Sequence, residues 1–290
     1  MNSEAVSICP TGATLGEGPV WIEREQALYF VDIKGPRVFR FDPATEQIRS
    51  WDAPRQVGWI LPAEDGSLVA GLQGGIHRFD PDSGTFDLLA EVEADRPANR
   101  LNDACTDPSG RIWFGTMADD ERTRSGSYYV YHRGTLTRTT LPQVSITNGP
   151  AISPDGRTLY HVDTLGGGIY ATDVAEDGST GRTRLLVQID PADGHPDGPT
   201  ADSEGCIWVA MFGGSSAHRY APDGSLLETI RFPVSNITKL AFGGPDLRTI
   251  FATTARLHLK PEELAEQPSA GDLFAVRTGV PGVSVAPAAL

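Results

Sequence analysis

One unit recurs six times along this chain, and few folds can hold it. A turn carrying glycine or acidic residues leads into a short apolar strand: REQALYFVD (24–32), EDGSLVAGL (64–72), PSGRIWFGT (108–116), PDGRTLYHVD (154–163), SEGCIWVAM (203–211) and PDLRTIFATT (245–254). Aligned on the first apolar strand residue (Leu28, Leu68, Ile112, Leu159, Ile207 and Ile250), successive copies lie 40, 44, 47, 48 and 43 residues apart. A second strand unit follows each copy, from VFRFD (38–42) to LFAVR (273–277). Six repeats of about four short strands predict an all-β fold, a six-bladed β-propeller with four antiparallel strands per blade around a channel. A stacked solenoid is the rival, but it needs polar capping units that the repeat lacks. The sixth copy ends near Arg277, one outermost strand short. Residues 4–9, EAVSIC, are placed to supply that strand, closing the ring and removing exposed sheet edges at the seam.

The rest of the chain fits one domain spanning residues 1–290. Its 32 glycines and 22 prolines are scattered evenly, as many turns require, and no linker stands out. Helical periodicity is confined to PEELAEQ (261–267). A net charge of −14 repels phosphate backbones and anionic lipid, so neither nucleic acid nor a membrane is expected as partner. No apolar run is long enough for a membrane span, and the N-terminus lacks the basic and apolar regions of a secretory signal. Three cysteines (Cys9, Cys105 and Cys206) without a CxxC read as reduced thiols, consistent with a cytoplasmic protein.

The tripeptide PDG occurs three times, and the repeat separates its uses. At 154–156 it places Asp155 four residues before its anchor, in the hairpin turn. At 222–224 it follows the second strand unit. Asp197, in the third copy, lies ten residues before Ile207 and out of phase with that turn. Its phase is shared by Glu17, eleven before Leu28, by Asn102, ten before Ile112, and by Asn148, eleven before Leu159. In the remaining copies the slot falls at Val57 or Gly58, and at Lys239 or Leu240. This phase begins the innermost strand, where all blades face one axis. Any one of these residues alone reads as an Asx turn or strand cap. Four oxygen-bearing side chains in one phase of four blades read as a site, and the set suits a hard divalent cation. Without a cation, two close carboxylates repel, or one keeps a proton. Glycine follows three of them, at Gly18, Gly149 and Gly198, leaving room for close backbone approach.

Other residues also attract attention. His195 stands two before Asp197 but reads first as a solvated loop histidine. Asp32 and Asp163 return toward the same mouth and either line it or bond loop amides. His161 and Asp163 suggest a dyad with no serine in phase. Trp21, Trp59, Trp113 and Trp208 are expected to pack between blades, and Lys239 either reaches substrate or lines the channel.

The segments LGEGPVW (15–21), RLND (100–103), FGTMA (114–118), ITNGPAISPDG (146–156), HVDT (161–164), HPDG (195–198) and FGGPDLRTIFATT (242–254) resemble the senescence-marker/gluconolactonase/regucalcin family, and bacterial sugar-acid lactonases within it. The resemblance runs from about residue 12 to about residue 277. It implies a six-bladed propeller with one divalent metal cation, whether calcium, zinc, manganese, magnesium or iron. It implies Glu17, Asn148 and Asp197 as metal ligands and Arg100 and Asn102 as substrate contacts. Asp119 or Asp120 falls where some members place an acid that meets sugar hydroxyls, but DDERTRSG (119–126) departs from the family pattern. The expected activity is hydrolysis of a small sugar lactone to its aldonic acid, with Asp197 as candidate base, Arg100 as a planar donor fork, and a cation as Lewis acid. A metal-dependent arylesterase or phosphotriesterase, a non-catalytic calcium-binding regulator, and a protein-binding scaffold are the alternatives.

Overall fold

Alternation along the chain changes with distance from the axis, and this sorts the strands. In the first repeat, Gly16–Ile22 and Ala27–Asp32 are buried at every residue, whereas Gln47–Asp52 is almost wholly exposed. A strand buried on both faces needs no polar alternation, and an outermost strand needs no apolar face. The computed structural model describes residues 4–290 and arranges them as six four-stranded antiparallel sheets. In five blades the strands run in chain order from the axis outward. The inner strands are Gly16–Ile22, Val57–Pro62, Asn99–Thr106, Thr147–Ile152, His195–Ala201 and Ile237–Gly243, which define blades 1 to 6. Each packs beside the next, and that of blade 6 packs beside that of blade 1, so the ring is closed.

The seam forms as the missing strand required. Val6–Cys9 pairs antiparallel with Leu273–Arg277, Val6 opposite Ala275 and Ser7 opposite Phe274, and completes blade 6. The second strands begin at or one residue before the predicted anchors. PEELAE (Pro261–Glu266) is a short helix. Asp155 is a turn residue, accepting from Ser153 Oγ and the Arg157 amide, while Gly156 takes φ 71° beside it.

Apolar contact between blades supplies the core. Trp59, Trp113 and Trp208 are fully buried. Two of them are also tied to turns: Trp113 Nε1 donates to Asp107 and Trp208 Nε1 to Asp202, each at 3.0 Å. A buried indole thus satisfies its one donor while its carboxylate partner also bonds the turn amides. His161 lies inside blade 4, its Nε2 3.0 Å from Thr172 Oγ1, and burial lowers its pKa to about 4.

The residues after Arg277 have no counterpart in the repeat and do something the repeat cannot. They cross the far end of the channel, stitched by backbone bonds to several blades. Gly282 N donates to Leu247 O, Ser203 N to Pro281 O, Ala288 N to Pro62 O and Ala289 N to Gly110 O, at 2.7–3.0 Å. Above this cork lies a cavity of about 130 Å³, bounded by Trp59, Leu61, Ile152, Phe242 and Val285.

Candidate active site

Every inner strand carries one extra residue relative to the strand beside it, at the same level to within one residue in all six blades. Such bulges kink the strand and re-aim the side chain they carry. The last regular pairs before the bulge are Glu17–Val31, Val57–Leu72, Leu101–Thr116, Asn148–Val162, Pro196–Met211 and Ile237–Thr254. Glu17 and Asn148 are thus the last paired residues at the edge of their bulges, and Gly58, Asn102, Asp197 and Thr238 are the first unpaired residues of theirs. The phase identified by counting is therefore the bulge position. In blade 6 the register corrects the expectation: Thr238, not Lys239 or Leu240, holds the slot, and its hydroxyl donates to Gly16 O at 2.6 Å.

Glu17, Asn102, Asn148 and Asp197 line one pocket of about 270 Å³ together with Arg100, and all five are buried. The hydrogen bonds assign them different work. Asn102 Nδ2 donates to Thr147 O (2.6 Å) and to Asn148 Oδ1 (3.0 Å), while its Oδ1 accepts from Arg100 Nη1 (2.6 Å). Both ends of the Asn102 amide are engaged, so it does not turn an oxygen toward the carboxylates as the phase argument expected. Asn148 Nδ2 donates to Thr164 Oγ1 (2.8 Å), which fixes Asn148 Oδ1 on the pocket side. Glu17 accepts only from its neighbour, the Gly18 amide, at 2.8 Å. Asp197 Oδ1 is buried with no partner.

One position beyond the bulge, a second polar layer crosses the axis. Lys239 Nζ donates to Asp103 Oδ1 and to Ala104 O, joining blade 6 to blade 3. Asp103 is fully buried and also accepts from Gly149 N. Gly198 explains how the lysine stem passes: a Cβ there would meet Lys239 Cγ at 2.6 Å. Neither Asp103 nor this use of Lys239 follows from the repeat. Each stands one residue past the bulge slot, where blades 1, 4 and 5 hold glycine.

Burial, and then the Asp103 charge, raises Glu17 from 4.5 to about 8. Burial and then the Glu17 and Asp103 charges push Asp197 well above the carboxylate range. Three buried carboxylates face two cations, Lys239 and Arg100, and one carboxylate oxygen has no bond at all. Among the described residues no group of three His, Cys, Asp or Glu side chains is set for a metal. The donors here are two carboxylates and an amide oxygen, a set of hard oxygens with excess negative charge and an orphaned atom, and it fits a divalent cation.

Above this floor the remaining predicted residues separate. Asp119 accepts from Lys34 Nζ (2.5 Å), Gln56 Nε2 (3.2 Å) and Arg100 Nε (3.2 Å). Burial raises its pKa, but those bonds outweigh it and hold Asp119 below its usual value. It thereby steers the Arg100 guanidinium. Neither Asp119 nor Asp120 lines the pocket itself, and only Asp119 bonds a residue that does, Arg100. The exposed Asp120 carboxylate caps the turn through the Arg122 and Thr123 amides and the Thr123 hydroxyl, and its pKa falls to about 2. Asp32 bonds the Thr14, Leu15, Lys34 and Gly35 amides, and Asp163 bonds the Gly166 amide, so both are loop staples. His195 lines the pocket at its exposed side.

The divergent segment 119–126 contributes a bridge. Glu121 accepts from His258 Nε2 at 2.8 Å, connecting blades 3 and 6 across the mouth. Both residues hold left-handed backbones, φ 60° and 66°, which side-chain-bearing residues adopt only where surroundings enforce it.

Residues 15–256 match the SMP-30/Gluconolactonase/LRE-like region. A 6-deoxy-6-sulfogluconolactonase of Pseudomonas putida is 36% identical over 283 residues, covering 97% of each chain. An L-arabinolactonase of Azospirillum brasilense is 33% identical, covering 98% of this chain and 95% of its own. The crystal structure of a calcium-binding protein, regucalcin, from Agrobacterium tumefaciens superposes with a TM-score of 0.94 at 28% identity. It spans 100% of this chain and 97% of that one.

Proposed function

The chain belongs to the SMP-30/gluconolactonase/LRE-like family, and on that premise we propose that it hydrolyses a five- or six-carbon sugar lactone to the aldonic acid with one divalent cation. The observation that carries this reading is the bulge layer, which buries Glu17, Asn148 and Asp197 together and leaves an Asp197 oxygen without a partner. Glu17, Asn148 and Asp197 would hold the cation. When bound, a divalent cation supplies Lewis acidity for the lactone carbonyl and compensates the buried carboxylates.

The chain's own residues do the remaining work. Asp197, charged, takes a proton from the attacking water as its oxygen bonds to the carbonyl carbon. The ring C–O bond then breaks, and Asp197 returns the proton to the departing ring oxygen. Arg100 is the substrate contact. Its Nε and Nη1 are committed to Asp119, Asn102 and Leu101 O, so Nη2 is the group left to meet a hydroxyl beside the carbonyl. Asn102 positions both Arg100 and Asn148, and Asp119 fixes the fork. Three free, largely buried cysteines agree with a cytoplasmic location.

The test is hydrolysis of a panel of aldonolactones and unsubstituted butyrolactone by chelated and metal-restored protein. Activity should disappear on chelation, return with a divalent cation, and favour the aldonolactones by a large factor. Full activity in metal-free protein sinks the metal-dependent reading. Equal rates on both lactone types sink the sugar assignment.

A further inference from the structure

The pocket has two walls of different chemistry. Its floor is polar, but the walls above it are an apolar collar of Leu15, Met117, Ile146, Leu165, Phe212 and Leu257, drawn from five of the six blades. The few polar groups among these residues are largely spent within the protein. Thr164 Oγ1 serves Asn148, and His258 and Glu121 serve each other. His195 alone has no side-chain bond within the described residues, and it stands at the exposed side.

A lactone with its carbonyl at the floor presents its first hydroxyl to Arg100 Nη2 and projects its far carbon into the collar. A terminal hydroxyl there exchanges water for carbon neighbours, and an unmet hydrogen-bonding group costs free energy. A terminal methyl group instead gains from leaving water. A terminal anion finds no lysine or arginine among the lining residues beyond Arg100 at the floor, His258 bonds Glu121, and His195 stands at the exposed side.

We infer that the preferred substrates are deoxy sugar lactones, polar beside the carbonyl and apolar at the far carbon. Lactones bearing a terminal anionic group are disfavoured. This rests on the lactonase reading above and adds to it the character of the far end.

Three gluconolactones that differ only at C6 test it: the 6-deoxy (methyl) lactone, gluconolactone itself, and the 6-deoxy-6-sulfo lactone. With metal-loaded full-length protein, kcat/KM should be at least tenfold higher for the methyl than for the hydroxymethyl compound. It should be at least a hundredfold higher for the methyl than for the sulfonate. Leu165 is half exposed on the lip, so Leu165→Lys tests the collar without opening the core. It should raise the sulfonate relative to the methyl lactone at least tenfold, whereas Leu165→Met should keep the original order. A hydroxymethyl or sulfonate lactone cleaved as well as the methyl one by the unmutated protein overturns the inference while leaving the lactonase reading intact. No turnover of any of the three overturns both.

Discussion

The two ends of the channel are built from the same six strands and solve opposite problems. At the mouth, bulges force Glu17 and Asp197 into a shared buried space and leave Asp197 Oδ1 unbonded. At the far end, the residues after Arg277 satisfy their backbone groups on several blades and border a mostly apolar cavity. Between them the Lys239–Asp103 pair spans the axis. The contrast teaches that a propeller can keep a strained charge arrangement at one end because the other end and the blade interfaces carry the stability.

The largest effect should come from the mouth. Asp197→Asn should lower kcat by about 10²–10⁴-fold, more than it lowers metal occupancy. The same change should raise the melting temperature of chelated protein, since it removes a charge that opposes Glu17. The pH dependence follows in sign. Glu17 ionises near 8 when folded against 4.5 ordinarily, so the fold favours its neutral form. That contribution is complete below pH 4.5 and lost as pH rises through about 8, so chelated protein should melt progressively lower across this window. Asp197→Asn should flatten the slope. Wild-type turnover in this variant removes the base assignment, and a lower melting temperature breaks the contrast.

Next in size is the crossing pair. Lys239→Met leaves Asp103 buried without its cation and should cost about 3–5 kcal/mol. Adding Asp103→Asn should recover most of that loss in denaturant melts, because the stranded charge is gone. No recovery means the pair acts through packing.

At the far end, removing the residues from 283 onward should cost roughly 2–3 kcal/mol, given several hydrogen bonds worth about 0.5–1.5 kcal/mol each and the ordering entropy they oppose. KM should move less than twofold. A large change in KM would join the two ends that the comparison separates. The smallest effect belongs to Asp155→Asn, a turn exchange that should shift stability by under about 1 kcal/mol and leave kcat/KM unchanged.

How much of this could be read in advance depends on whether a residue repeats. Glu17, Asn102, Asn148 and Asp197 were legible because one slot recurs in every blade, and Asp155 was legible as a turn by the same counting. Four polar residues in phase could not reveal that the Asn102 amide is consumed by Arg100, Thr147 and Asn148, because amide orientation is set by partners from other blades. Asp103 and Lys239 interact across 136 positions of sequence, and nothing local announces the pairing. Asp120 resembled a site residue because turn caps and hydroxyl-binding acids share one chemistry; its neighbours' amides decide. Most of the apolar collar lies on loops and strand ends outside the repeat. The cork bonds chiefly through backbone atoms, which leave no side-chain signature.

The layer that crosses the axis has a kinetic consequence. The Lys239–Asp103 pair crosses the axis between two cavities that share no lining residue, so substrate arrives and product departs by the same opening, past the Glu121–His258 bridge. Each turnover must finish its departure before the next arrival, and the product, carrying a new carboxylate, obstructs the incoming lactone directly. Inhibition by aldonate should therefore be competitive with lactone. The chain's net charge of −14 helps to clear that anion from the doorway, an assistance that added salt weakens.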